Sequence, residues 1–161
     1  LDIFNEHCTD DKLLKRINYL ANDCENSKDQ NPMKDFELLT LNNSKTSLKK
    51  IIRNKKSVVY FWSPEIMSSE MLIKRVSSLE KKYPSIQFVG INMQPSANDS
   101  RVNKYLKNQF TLSKGSSGTK LIKSMEPRTI LIDKNGIVSN SFTYLSSQYF
   151  EKQLHALEQN N

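Results

Sequence analysis

Cys8, Cys24, His7 and His155 are the only thiol and imidazole side chains in the 161-residue chain. The two histidines lie at opposite ends of the sequence and form no motif. The cysteines flank Thr9 to Asn22, where Leu13, Leu14, Ile17, Leu20 and Ala21 recur at helical spacing and Thr9 or Asp10 can cap the start. A helix rises about 1.5 Å per residue, which sets its two ends roughly 20 Å apart. A disulfide needs Cα atoms within about 7 Å. Cys8 and Cys24 are therefore expected not to be bonded to each other, and their spacing is not that of a Cys-x-x-Cys site.

Other chemistries are missing from the sequence. There is no Gly-rich phosphate loop, no zinc-ligand spacing and no nucleophile elbow. Met67, Met71 and Met125 would offer soft Cu(I) ligands if they converged, but core filling is the preferred reading. No cofactor and no metal are expected. The net charge of +7 and pI near 9.4 permit binding to anions. One local cluster stands out: Lys45, Lys49, Lys50, Arg53, Lys55 and Lys56. It reads as a solvated helix face and turn rather than a phosphate site, and no nucleic-acid partner is expected. No apolar run is long enough to span a membrane. The chain opens at Leu1 without a leader, as expected of a mature or trimmed polypeptide.

The elements that would position a site centre on Ser57 to Met71. Val58-Val59-Tyr60-Phe61-Trp62 is an apolar run rich in β-branched and aromatic residues, suited to a strand covered on both faces. Ser63 is placed to cap a following helix, with Pro64 at its first position and Glu65 in its first turn. That helix is expected to run to about Lys82, with Met67, Met71, Leu72, Val76, Leu79 and Tyr83 on its inner face. Ser85 to Met93 follows as a parallel strand. Beyond a loop from Gln94 to Ser100, Arg101 to Phe110 reads as helix. Leu112 to Gly118 reads as polar loop and Thr119 to Ser124 as a short helical turn. Phe36, Leu38 and Thr40 alternate as a strand, turning at Asn42-Asn43-Ser44 toward a short helix from Ser47 to Arg53. Asn135-Gly136 marks a second hairpin. Ser146 or Ser147 caps a last helix with Phe150, Leu154 and Leu157 inward.

Val58-Val59-Tyr60-Phe61-Trp62-Ser63 resembles the active-site strand of thioredoxin-fold proteins, most closely the TlpA-like thiol–disulfide oxidoreductases of the AhpC/TSA–thioredoxin superfamily. Pro127, followed by a strand at Thr129 to Asp133 and the Asp133 to Gly136 turn, resembles that family's cis-proline strand and hairpin. The resemblance covers Pro32 to Leu157. It implies an α/β fold, a three-layer sandwich with a central mixed sheet, an opening β-hairpin and an extra N-terminal helix. It divides the chain into a helical extension and linker, 1–31, and a thioredoxin-like domain, 32–161.

The same resemblance locates a site and shows what it lacks. Family members follow Phe-Trp with three residues and then Cys-x-x-Cys. Counting from Trp62 puts the two cysteine positions at Ile66 and Ser69, enclosing Met67 and Ser68. A register two residues earlier puts them at Pro64 and Met67. Neither register supplies a thiolate, the nucleophile of this chemistry. Tyr60 stands where thioredoxins often keep a buried acid. Trp62 is expected to be a partly exposed packing residue. Glu126 and Pro127 form the cis-proline loop, beside Ile66 and Met67.

Two functional readings follow. One is a redox-inactive module that binds a protein or extended peptide in the Trp62/Pro127 groove. The alternative is a thiol–disulfide oxidoreductase active in redox homeostasis within a longer protein, with cysteines supplied elsewhere. A peroxidase-like enzyme is a weaker third, because it too needs a cysteine here. Family resemblance implies an extracytoplasmic location, periplasmic or anchored to the membrane facing the periplasm.

Overall fold

The computed structural model describes residues 2–94, 99–112, 115, 117–124 and 126–159. The helices are α1 (Asp2–His7), α2 (Asp11–Asn26), α3 (Leu48–Ile52), α4 (Ser69–Lys82), α5 (Ser100–Tyr105), α6 (Ser117–Leu121) and α7 (Phe150–Gln159). The strands are β1 (Glu37–Leu39), β2 (Lys45–Ser47), β3 (Ser57–Trp62), β4 (Gln87–Asn92), β5 (Gln109–Leu112), β6 (Thr129–Ile132) and β7 (Val138–Thr143). They form one mixed sheet in the order β2-β1-β5-β4-β3-β6-β7.

β3 is the axis of this sheet. It pairs parallel with β4 from Ser57↔Gln87 to Trp62↔Asn92 and antiparallel with β6 from Ser57↔Ile132 to Tyr60↔Thr129. Every residue of β3 is buried. Because side chains alternate along a strand, β3 feeds two cores. Val59 and Phe61 join Leu48 and Ile52 of α3 and Leu121 and Ile122 around α6. Val58, Tyr60 and Trp62 join Leu72, Val76 and Leu79 of α4 together with Phe150, Leu154 and Leu157 of α7. Helices thus cover both faces of the sheet, giving the expected three-layer thioredoxin-like arrangement.

Several local readings change. α2 continues past Asn22 to Asn26, so the polar stretch expected as linker begins as helix. Asp10 caps it, its carboxylate accepting from the N–H groups of Lys12 and Leu13. Leu13 is exposed rather than inward. The helix expected over Arg101 to Phe110 ends at Tyr105, and Gln109–Leu112 is strand β5. Asn108 lies between them at φ 51, a left-handed conformation that Asn tolerates and that stops a helix. β5 then bridges β4 (parallel) and β1 (antiparallel), and this nonlocal pairing outweighs the helical pattern. Met71 is 64% exposed instead of inward. Cys8 and Cys24 are both free, as expected. No helix among the described residues is long and apolar enough to cross a membrane.

Residues between α2 and β1 are tied to the sheet rather than trailing from it. The N–H of Gln30 donates to Val138 O at 2.7 Å, that of Val138 to Asn31 O at 2.9 Å, and that of Met33 to Gly136 O at 2.8 Å. Pro32 bridges Ile137.

Candidate functional site

The site forms where β3 ends. Trp62 is 3% exposed, so it is buried in the α4–α7 core and not partly exposed as expected. Its indole Nε1–H finds no hydrogen-bond partner among the described residues. Ser63 is also buried; its hydroxyl donates to Gln94 Oε1 at 2.5 Å and accepts from the Glu65 N–H at 3.2 Å. The Ser63 carbonyl accepts from the N–H groups of Ile66 and Met67, at 3.1 and 3.0 Å. Ser63 therefore caps an isolated turn over Pro64 to Met67. It does not cap the long helix.

That helix, α4, begins at Ser69 and has its own cap, Ser68, whose hydroxyl accepts from the Met71 N–H at 3.3 Å. A second serine with a favourable capping geometry splits the expected single element in two. Glu70 adds negative charge in the first turn, where the helix dipole favours it.

The four positions that a Cys-x-x-Cys segment would occupy now have distinct environments. Ile66 is 59% exposed, Met67 is half-buried and packs on the α4–α7 core, and Ser68 is exposed. Ser69 is buried and hydrogen-bonds Asp99, the N-cap of α5. Hydrogen bonds from the Arg101 side chain, then the Arg101 N–H and the Ser69 hydroxyl, hold the Asp99 carboxyl well below the usual carboxylate range. Ser69 thus joins the start of α4 to the start of α5. Tyr60, in the place of the buried acid, is fully buried; its hydroxyl accepts from Gln109 Nε2 at 2.7 Å, and burial pushes its pKa up.

The facing wall is the segment leading into β6. No cis peptide occurs among the described residues, so Glu126–Pro127 is trans. The cis-proline expectation is overturned on this point. The trans form is the preferred one, by about 0.5–1 kcal/mol for an X–Pro bond. The segment is nevertheless extended alongside β3: the Phe61 N–H donates to Arg128 O at 2.9 Å, one step beyond the Tyr60↔Thr129 pair.

What fixes this segment is α2. The Asp23 carboxylate accepts from the N–H groups of Lys123 and Ser124, at 2.7 and 3.0 Å, and from the Ser124 hydroxyl. Arg16 Nη2 pairs with Glu126 Oε1 at 2.7 Å. Arg128, 2% exposed, donates from Nη1 to the Asp23 carbonyl at 3.1 Å, while its Nε and Nη2 have no partner among the described residues. Burial lowers the Arg128 pKa and the nearby Asp23 carboxylate opposes that shift. Arg16, Asp23 and Arg128 were not singled out by sequence. The available signal was Asp23 itself, a carboxylate three residues after Leu20 on the inward face of an amphipathic helix.

Between these walls lies a cleft of about 240 Å³. Trp62, Ile66, Met67, Glu126 and Pro127 line it, so the structure brings together five of the expected site residues. Ser68 and Ser69 stand outside it. Tyr144, 44% exposed, adds an aromatic rim from the end of β7. Met125 lies outside the described residues. Among the described residues, no cysteine lines the cleft. It is an apolar slot with backbone edges and lacks a nucleophile for thiol exchange.

No family model matches the sequence, and comparison with curated proteins found no relative. Solved structures do match. The fold is that of the thioredoxin-like thiol–disulfide oxidoreductases. A candidate thiol:disulfide interchange protein DsbE from Chlorobium tepidum superposes with a TM-score of 0.63 at 17% identity, over 81% of this chain and 98% of that one. The C-terminal domain of a candidate thiol–disulfide oxidoreductase from Bacteroides thetaiotaomicron gives 0.64 at 17% identity, over 83% and 98%. A thioredoxin-like protein from Bacteroides caccae gives 0.60 at 14% identity and covers 95% of this chain, which spans 58% of that protein.

Proposed function

We propose that this chain is a redox-inactive thioredoxin-like module that binds a protein segment in extended conformation at the Trp62/Pro127 cleft, outside the cytoplasm. The observation that supports this reading is the lining of the cleft. The scaffold of a thiol exchanger is present, but the lining holds the hydrocarbon of Ile66 at a thiol position of the first register, or the thioether of Met67 at one of the earlier register. Exposed Ile66 and Tyr144 give an apolar rim, which an alternating peptide can cover with every second side chain. Glu126 is held by Arg16 and therefore does not close the slot with a free charge.

The test is panning of a random peptide library on the full chain, with Ile66→Glu as the comparison protein. Enriched peptides should bind the unmodified chain and lose at least tenfold in affinity with Ile66→Glu. Amide shifts on binding should cluster at 61–67 and 126–129. Enrichment of the same peptides on both proteins would move the binding surface elsewhere and overturn the assignment.

A further inference from the structure

A second cleft, of about 760 Å³, lies at the other end of β3, within the range typical of small-molecule sites. β3 has six residues, so this cleft is about 20 Å from the Trp62 slot. Lys49, Lys50 and Arg53, from α3 and the turn after it, form one wall. Lys134, from the β6–β7 turn, comes from the opposite side, more than eighty residues away in sequence but adjacent in space. Lys55 and Lys134 also line the adjoining groove that runs toward Pro84. All five of these side chains are exposed.

The charges in this cleft are not balanced from within. Its one carboxylate, Asp35, accepts from the Lys49 N–H at 2.9 Å and so satisfies backbone. The ion pairs formed by the described residues involve other cations: Arg16, Lys28, Lys45, Arg75, Lys82 and Arg101. Lys56, in the same run, is already engaged, its Nζ donating to Glu158 O at 2.7 Å. Lys49, Lys50, Arg53 and Lys134 therefore line one cleft against the single carboxylate of Asp35, and none of the four forms an ion pair among the described residues. A sequence run that reads as a solvated helix face becomes concave once the hairpin brings Lys134 across from it. Several like charges held around one concavity repel each other, and a multivalent anion relieves that repulsion. Three lysine point charges and one guanidinium exceed what a single carboxylate can neutralise, and they suit the spread charge of a phosphate group. Met33, buried in the core and lining the cleft, offers an apolar contact for a nonionic portion of the ligand.

We propose that the Lys49/Lys50/Arg53/Lys134 cleft is a binding site for a phosphate-bearing ligand, independent of the Trp62 slot. The phosphate can belong to a soluble compound or to a lipid headgroup, and the experiment separates the two. Calorimetric titration with pyrophosphate, at ionic strength held constant with sodium chloride, is one arm. Co-sedimentation with vesicles of phosphatidylcholine containing one-fifth phosphatidylglycerol, against pure phosphatidylcholine, is the other. Lys50→Ala with Arg53→Ala tests the cleft. Lys74→Ala with Lys81→Ala, which removes the same charge from the exposed side of α4, tests mere loss of net charge. Saturable pyrophosphate binding that falls at least tenfold in the cleft variant and less than twofold in the α4 variant supports a soluble ligand. Phosphatidylglycerol-dependent sedimentation with the same variant pattern, without pyrophosphate binding, supports the headgroup. Binding in neither arm, or equal loss in the two variants, overturns the site. Ile66→Glu should leave both arms unchanged.

Discussion

Asp23 on α2 and Ser124 in the segment before Pro127 are joined twice, the carboxylate accepting from both the N–H and the hydroxyl of Ser124. The carboxylate is wholly buried, and the Lys123 N–H gives it a third donor. α2 is thereby built into the wall of the candidate site.

Asp23→Ala should be among the most destabilising single changes. It orphans two partly buried N–H groups and removes the carboxylate beside the buried Arg128 guanidinium. Removing one member of a buried charged arrangement costs about 3–5 kcal/mol. Denaturant unfolding should show that loss in the midpoint. A change below about 1 kcal/mol would mean that α2 is only loosely attached and that the segment before Pro127 is ordered without it.

Gly90 is at the centre of β4 because nothing larger fits. A Cβ there would press hardest on Gln109 Oε1 and would sit 2.6 Å from Tyr60 Oη and 2.7 Å from Gln109 Nε2. Gly90→Ala should therefore cost about 1–3 kcal/mol by overpacking. The crowded atoms belong mostly to the Gln109 side chain, so Gly90→Ala should cost less in a Gln109→Ala background. A thermal-denaturation double-mutant cycle measures this coupling. Strict additivity would place the strain in the backbone.

Acid should weaken the protein partly through Glu151. Lys82 Nζ and Arg75 Nη1 donate to its two oxygens at 2.5 and 2.9 Å. These bonds, Lys82's first, hold the Glu151 carboxyl below its ordinary value of 4.5. A folded-state pKa below the unfolded one gives stability that is present above the unfolded value and lost as pH falls through the folded one. Asp99 acts in the same direction. The melting temperature should fall from about pH 6 to about pH 3, and the deficit of Glu151→Gln relative to the unmodified chain should shrink over that interval. A deficit that is constant with pH would show that Glu151 acts by packing alone.

The parts of this molecule that were legible in sequence are those in which pattern and environment agree. β3 reads as buried because all six positions are apolar or small, and the β6–β7 hairpin reads from Asn135-Gly136, with Gly136 at φ 81. β5 was hidden because Phe110 continues the helical spacing of Val102, Tyr105 and Leu106 while Leu112 reads as the start of a polar loop, and only the left-handed Asn108 separates helix from strand. The start of α4 was hidden because Ser63 and Ser68 are both good caps, and sequence does not say that each is used. The buried Asp23–Arg128 arrangement and the approach of Lys134 to Lys50 join residues far apart in the chain. No local pattern encodes such contacts.

The last prediction concerns catalytic silence. Thiol–disulfide exchange needs a thiolate to attack and a second thiol to resolve the mixed disulfide. The site offers Ile66, an exposed hydrocarbon, and Ser69, a buried hydroxyl already bonded to Asp99. The chain should reduce a protein disulfide no faster than the dithiol background, before and after Cys8 and Cys24 are blocked. Turnover that survives the block would refute the redox-inactive reading. Ile66→Cys with Ser69→Cys should restore the missing atoms. Ile66 belongs to the turn capped by Ser63 and Ser69 is the first residue of α4, so the pair spans the junction into a helix N-terminus, where a thiolate is favoured. A reversible disulfide, seen as loss of two thiols on oxidation and their return with dithiol, is the expected result. The Ser69→Cys change weakens the bond to Asp99, a cost of about 1 kcal/mol. The fold should tolerate that cost. If the double variant folds but forms no bridge, the register through Ile66 and Ser69 is wrong. Pro64→Cys with Met67→Cys then becomes the pair to build, since both residues lie within the turn after Trp62 and Met67 already lines the cleft.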